Sequence, residues 1–121
     1  MVSTDWAVPY PRLPEAIAHA RSLVEEAGLA QPAIYGHAGN GHPHENFIAG
    51  DAEELERIER VLEVTLKYVL SIGGTVSAEH GIGKIKRRRL PLQATAMQLA
   101  VMKEVKRELD PDWRLAPGNI L

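Results

Sequence analysis

Two glycine-rich segments that carry four of the five histidines constrain this 121-residue chain more than any other feature. The first reads Tyr-Gly-His-Ala-Gly-Asn-Gly-His-Pro-His-Glu-Asn over residues 35–46, and the second reads Gly-Gly-Thr-Val-Ser-Ala-Glu-His-Gly-Ile-Gly over residues 73–83. Glycine lets a backbone turn tightly or approach a ligand closely. Histidines concentrated beside such glycines indicate a functional site rather than a scaffold element.

The first segment is predicted to form a β-hairpin. Residues 33–38 and 44–49 favour short strands, and Gly39-Asn40-Gly41 between them supplies positions for a positive φ. His37 and His44 could then face each other across the hairpin. A single histidine near a turn is usually an ordinary polar residue, but the pattern His-x-x-x-x-His-x-His in a glycine-rich hairpin favours a metal or catalytic site.

Two imidazoles from this hairpin need only one more ligand to hold a divalent metal with positions left open for substrate, and Glu79 is the candidate for that ligand. His80, next to it, is then available for proton transfer. His42 would share a face with His44 if the strand were already regular there. Pro43 instead favours a place for His42 in the turn.

Three amphipathic helices are predicted around the hairpin. The first runs from Pro14 toward Ala27, the second follows the capping-box pair Asp51 and Glu54, and the third begins at Ala94. Apolar residues recur in each at helical spacing. They are Ile17, Leu23 and Val24 in the first helix, Leu55, Ile58, Leu62, Leu66 and Val69 in the second, and Met97, Ala100, Val101, Val105 and Leu109 in the third.

Two further short strands are predicted, at residues 5–8 and at residues 75–77. The second is β-branched and would carry Glu79 and His80 at its tip. Combined with the hairpin and the helices, these strands predict an α+β fold in which a small antiparallel sheet has about three helices packed on it. A chain of this length has room for one domain, so residues 1–121 are expected to form a single domain.

Composition excludes several classes of protein. The chain is 45% hydrophobic and 25% charged, as expected for a globular protein, and it has no cysteine, which excludes disulfides and thiolate metal sites. No apolar run approaches the roughly 20 residues of a membrane span, and no signal peptide is evident, so a cytoplasmic location is expected.

Charge gives no indication of a nucleic-acid partner. The formal net charge is -2, which attracts neither nucleic acid nor a membrane surface. The run Lys84–Arg89 holds five basic residues in six but has no interleaved aromatic residues. It is therefore interpreted as a solvated loop whose cations could attract carboxylate substrates, and no nucleic-acid partner is predicted.

Three motifs in order resemble the C-terminal region of FAD-linked oxidases and dehydrogenases of 2-hydroxy acids, a family that includes glycolate oxidase, D-lactate dehydrogenase and D-2-hydroxyglutarate dehydrogenase. The family patterns are Gly-His-x-Gly-Asp-Gly-Asn-x-His, Gly-Gly-x-x-Ser-x-Glu-His-Gly-x-Gly and Asp-Pro-x-x-x-x-Asn-Pro-Gly-Lys. They correspond here to residues 36–44, 73–83 and 110–119. The chain differs from these patterns at Asn40, His42, Ala116 and Asn119.

The resemblance implies roles for five residues. His37, His44 and Glu79 match metal-binding positions, Asn46 matches a substrate-contacting position, and His80 matches the base near the flavin. Two histidines and one carboxylate suit zinc, manganese or iron, so the identity of the metal stays open. The implied reaction is FAD-dependent oxidation of a 2-hydroxy acid to a 2-oxo acid, with the hydride passing to FAD.

Family members are several times longer than this chain, which resembles only the last part of their substrate-binding cap domain. The resemblance therefore implies that an FAD-binding domain or subunit is needed as a partner and that the chain alone is inactive. An exposed sheet edge and apolar surface are expected to favour self-association. Two alternatives remain open: a metal-binding or interaction module that has lost catalysis, and a small metal-dependent hydrolase that uses the same ligands.

Overall fold

The computed structural model describes residues 1–121 and divides the chain into two compact units, residues 1–80 and residues 81–121. The elements of the first unit are β1 (Val2–Ser3), α1 (Leu13–Glu26), β2 (Ala33–His37), β3 (His42–Phe47) and α2 (Ala52–Ser71). Those of the second unit are the one-turn helix α3 (Leu90–Gln93) and α4 (Ala96–Leu109). The predicted α+β class, with a small antiparallel sheet, is confirmed. None of the helices combines the length and the hydrophobicity that a membrane span requires.

The sheet has three antiparallel strands in the order β1-β3-β2. The predicted strand at residues 5–8 is wrong, because β1 pairs through Val2 and Ser3 and only Ala7 in the predicted range makes a bridge, to Thr75. The assignment of His42 to the turn is also wrong, since β3 begins there. Pro43 is tolerated because β1 covers β3 only at Asn46 and Phe47, so Pro43 has a strand on one side alone.

A turn of 3-10 helix at residues 38–40 joins β2 to β3 and ends at Gly41. Gly41 has a φ of 67°, and a Cβ there would overlap the carbonyl of Val8. The Gly41 carbonyl also accepts a hydrogen bond of 2.9 Å from the Val8 backbone N–H. Glycine at this position therefore lets the N-terminal segment lie directly against the hairpin corner.

The core of the first unit lies where α1 and α2 meet β3. Asp51 caps α2 by accepting from the Glu54 backbone N–H. Helix α2 ends at Ser71, and Gly73 follows with a φ of 85°. Of the predicted α2 stripe only Leu55 is exposed. The central cluster consists of Val24, Leu29, Phe47, Ile58, Val61 and Leu62.

The predicted strand at residues 75–77 is wrong. After the isolated Ala7↔Thr75 bridge, the Ala78 N–H still donates to the Asp5 backbone carbonyl at 2.7 Å. The N–H groups of Glu79 and His80 donate to the Asp5 carboxylate, a side-chain acceptor, so the ladder does not continue. Glu79 and His80 are consequently mounted on a loop that one buried carboxylate holds.

The second unit contains no buried apolar side chain. Its buried residues are Lys86 and Asp110, both polar. Helix α4 begins at a capping box formed by Thr95 and Gln98, two residues after the predicted start. Met97, Val101, Val105 and Leu109 form its apolar stripe, as predicted, but all four are more than half exposed.

Candidate metal centre

The three histidines of the hairpin lie on one face of it. His37 pairs directly with His42, and His44 lies opposite Tyr35. Because side chains alternate along a strand, His42 and His44 project from the same face of β3. The ring centroid of His44 is 4.4 Å from that of His42 and 5.8 Å from that of His37. The register therefore brings three imidazoles to one point.

Glu79 approaches this point from the loop after α2. Its Oε1 lies 3.2 Å from His44 Nε2 and 3.5 Å from His37 Nε2, and also 3.6 Å from Nε2 of the neighbouring His80. Donor atoms that share a tetrahedral zinc ion at bonds of about 2.0–2.1 Å lie about 3.3 Å apart. The spacing of these nitrogen and oxygen atoms therefore fits ligands of a common ion.

The tautomer of His44 also fits a metal. Its Nδ1 lies 3.4 Å from the Thr4 carbonyl oxygen, which can only accept, so Nδ1 carries the proton. In the neutral ring Nε2 then directs a lone pair at the Glu79 carboxylate oxygen, and two acceptors in contact repel each other. A cation between them removes this repulsion, and the backbone carbonyl on the far side of the ring is the partner usual for metal-binding histidines.

Asp5 is the buried centre of this arrangement. Its side chain is fully buried, and Oδ1 lies 2.9 Å from His42 Nε2. Oδ2 accepts from the Ser77 hydroxyl at 2.6 Å and from the His80 backbone N–H at 3.0 Å. The N–H groups of Ala78 and Glu79 also donate to the carboxylate. Because these donors occupy its oxygens, Asp5 supports the candidate ligands and is not counted among them, although its oxygens lie within reach of His44, Glu79 and His80.

His80 remains accessible while its backbone is fixed. Its side chain is 53% exposed, and its ring is stacked on that of His44 with 4.9 Å between centroids. Its Nδ1 lies 3.8 Å from Asp5 Oδ1. An exposed imidazole held beside the candidate ligands is able to exchange a proton with a bound molecule.

Asn46 lies farther along the same face of β3. Its side-chain amide donates a hydrogen bond of 3.0 Å to the Tyr35 hydroxyl, and the Tyr35 ring is 5.3 Å from that of His44. An amide and a phenol beside the histidines offer hydrogen bonds to a polar ligand. Tyr35 was not predicted as a site residue, because its position opposite His44 depends on the register.

Glu45 alternates to the opposite face of β3 and is buried. It accepts hydrogen bonds from Trp6 Nε1 at 2.9 Å and from the Thr4 hydroxyl at 3.2 Å. Burial raises the pKa of the Glu45 carboxyl, and the two hydrogen bonds oppose this rise. Glu45 thus anchors the N-terminal segment to the face of β3 that is opposite the histidines, while Asp5 anchors the same segment to the histidine face.

The sequence of this chain is similar to those of known proteins. Residues 1–120 match the sequence profile of the family described as FAD linked oxidases, C-terminal domain. The chain belongs to this family. It is 34% identical over 121 residues to a probable mitochondrial D-lactate dehydrogenase of Danio rerio. It is 31% identical over 117 residues to glycolate oxidase subunit GlcD of Escherichia coli K12. It is 29% identical over 121 residues to a D-2-hydroxyglutarate dehydrogenase of Xanthomonas citri.

These alignments include 98%, 95% and 96% of the chain, respectively. They include only 24%, 23% and 26% of the relatives, so the chain spans about a quarter of their length. The predicted resemblance to the C-terminal part of FAD-linked 2-hydroxy-acid oxidases is therefore confirmed.

Proposed function

We propose that this chain is the C-terminal part of a flavin-dependent oxidoreductase that converts a 2-hydroxy acid of the lactate or glycolate type to a 2-oxo acid with the help of a divalent metal. The observation that carries this proposal is the convergence of the Nε2 atoms of His37 and His44 on Glu79 Oε1. The names of the relatives, which refer to D-lactate, glycolate and D-2-hydroxyglutarate, support this substrate class.

His37, His44 and Glu79 would hold the metal, which is zinc, manganese or iron on the chemistry of its ligands. Such an ion would polarise the hydroxyl of a 2-hydroxy acid and lower the pKa of that hydroxyl. Two imidazoles and one carboxylate leave room for both the hydroxyl and the carboxylate of the substrate. The Thr4 carbonyl would keep His44 in the tautomer that this role needs.

His80 would remove the hydroxyl proton as a general base, because it is half exposed and lies beside the ligands. Asn46 and Tyr35 would orient the substrate carboxylate, since both offer donors on the same face as the histidines. In the complete reaction the C–H bond breaks as the C=O bond forms, and FAD would accept the hydride.

FAD would be bound mainly by a separate domain or subunit, so the 121-residue chain alone is expected to be inactive. The apolar stripe of α4 supports this need for a partner, because Met97, Val101, Val105 and Leu109 are exposed. The same stripe and the unpaired edge of β2 would favour self-association when no partner is present. A cytoplasmic location is also proposed, although the D-lactate dehydrogenases of Kluyveromyces lactis and Arabidopsis thaliana are named mitochondrial.

The first test is metal binding by the chelator-stripped chain. Zinc, manganese and iron are titrated into the wild type and into His44→Ala and Glu79→Ala, with His19→Ala as the matched control because His19 stacks on Tyr68 and is no member of the cluster. We expect stoichiometric binding in the wild type and control and its loss in the two ligand variants. Equal binding by all four proteins would contradict the metal site.

The second test is turnover. A fusion protein that joins the chain to an FAD-binding domain of a related oxidase is assayed with D-lactate, glycolate and D-2-hydroxyglutarate while flavin reduction is followed. We expect flavin reduction that His80→Ala suppresses by about 100-fold or more, the range for loss of a general base. Metal binding without any flavin reduction would instead support the alternative of a non-catalytic metal-binding module.

A further inference from the structure

His42 brings a third imidazole to the metal centre. A ring nitrogen of His42 lies within 4.8 Å of the ligand atoms of His37, His44 and Glu79. Donor atoms on one tetrahedral zinc ion lie about 3.3 Å apart. The four donors would therefore move closer together by up to about 1.5 Å when they bind a single ion.

The tautomer of His42 is set by Asp5. The Asp5 carboxylate receives several N–H and O–H donors and can only accept, so the Nε2 atom 2.9 Å away carries the proton. The lone pair of the neutral ring is then on Nδ1. This is the reverse of His44, where the Thr4 carbonyl places the proton on Nδ1.

His42 is 5% exposed, and its hydrogen bond to Asp5 uses only the Nε2 atom. The Nδ1 atom therefore keeps a lone pair that can bond to a cation. A carboxylate that hydrogen-bonds the far nitrogen of a ligand histidine is the usual support for a metal-bound imidazole.

We propose that His42 is a fourth protein ligand of the metal, bound through Nδ1, and that Asp5 is the positioning residue that fixes its tautomer. This inference rests on the proposed metal site and adds to it a His3Glu donor set. Four protein ligands complete a tetrahedral shell. A substrate would then have to expand the coordination of the ion or displace a ligand, so His42 sets how open the centre is.

The test compares the wild type with His42→Asn, whose shorter amide can still donate to Asp5, and with His19→Asn as the control. Zinc affinity is measured by competition with a chromophoric chelator. The Co²⁺ forms are compared by visible absorption, because four-coordinate Co²⁺ absorbs much more strongly than Co²⁺ with added water ligands. We expect His42→Asn to weaken zinc binding by about 100-fold or more, beyond the 10–100-fold typical of a supporting residue, and to lower the Co²⁺ absorption.

Unchanged zinc affinity and an unchanged Co²⁺ spectrum in folded His42→Asn would overturn the role of His42 as a ligand. If His44→Ala and Glu79→Ala still abolished binding in that case, the proposed His37, His44 and Glu79 site would stand. If the wild type bound no metal, both proposals would fail together. Circular dichroism of the metal-free proteins establishes whether each variant is folded.

If His42→Asn does not fold, the wild type itself decides the question. Long-range ¹H–¹⁵N correlation spectra report the state of each ring nitrogen before and after zinc is added. We expect the Nδ1 resonance of His42 to shift to a metal-bound value while Nε2 stays protonated, with the opposite pattern for His44. An Nδ1 resonance of His42 that zinc leaves unchanged would overturn the proposal.

Discussion

Residues 1–80 and residues 81–121 differ in what they bury. The first unit buries large side chains such as Trp6, Ile58 and Leu62 almost completely. In the second unit the only buried residues are Lys86 and Asp110, and both are polar. The first unit thus has a hydrophobic core and a site, while the second has helices whose apolar stripe is exposed.

The difference shows that a regular helix can form from local signals without a core beneath it. Helix α4 has a complete capping box, formed by Thr95 and Gln98, and basic residues in its last turn. Most helical stability nevertheless comes from packing of an apolar face. A surface outside the unit is therefore the expected source of stability for α4, which agrees with a partner role for this end of the chain.

The largest expected effect comes from removing core volume in the first unit. Leu62→Ala, at a side chain that is 1% exposed, should lower the free energy of unfolding by about 2–5 kcal/mol. Val105→Ala, at a side chain that is 53% exposed, should change it by about 0.5 kcal/mol or less. Urea unfolding followed by circular dichroism measures both. Equal losses would show that residues 81–121 have a core of their own.

A smaller effect is expected on association. The wild-type chain should self-associate at high concentration, and Val101→Lys combined with Val105→Lys should shift it toward the monomer, because the two charges interrupt the exposed stripe. Size-exclusion chromatography with light scattering measures the mass. Val64→Lys is the control, since Val64 is 47% exposed on α2. A strictly monomeric wild type at high concentration would contradict the prediction.

The smallest expected effect is the loss of the Asp110 contacts in the second unit at low pH. The Lys106 ammonium, followed by the backbone N–H groups of Leu115 and Arg114, holds the pKa of Asp110 below its ordinary value of 3.8. Because the pKa of Asp110 is lower in the folded state, these contacts stabilise the fold fully when the pH is above the ordinary pKa of 3.8. Their stabilising effect is lost as the pH falls through the pKa of the folded state. In a titration from about pH 5 to about pH 2, the amide resonances of Arg114 and Leu115 should move together near the folded pKa.

Asp110→Asn should remove that shared transition without unfolding the chain at neutral pH. Asp112→Asn, at an exposed residue two positions away, is the matched control and should leave the transition in place. Amide resonances that respond neither to the pH change nor to the Asp110 substitution would contradict the assigned role of Lys106 and the two backbone donors.

Much of the first unit could be predicted from the sequence because its signals are local. Glycines at the hairpin corner, the Asp51 cap and the apolar spacing of α2 each depend on residues a few positions apart. The proximity of His37 and His44 follows from the same hairpin, and their ring centroids are 5.8 Å apart.

The part that could not be predicted depends on contacts between distant residues. Asp5 has no neighbouring motif, and its donors are 37 to 75 positions away along the chain. The Asp5 backbone carbonyl accepts from the Ala78 N–H, and the Asp5 carboxylate accepts from the N–H groups of Glu79 and His80, so the strand expected just before them does not form. The place of His42 in β3 likewise depends on pairing with His37, which outweighs the tendency of the adjacent Pro43 to interrupt a strand.

The position of Asp5 has a consequence for the order in which the chain folds. Its carboxylate joins the N-terminal segment, the hairpin and the loop after α2, so the loops it closes are among the longest in the unit. Closing long loops costs entropy and slows the formation of the contacts that depend on them. The hairpin and helices should therefore form early and the Glu79 loop should dock late. In a refolding experiment, the rate at which the proposed site captures zinc should report this last docking step and not the diffusion of the ion.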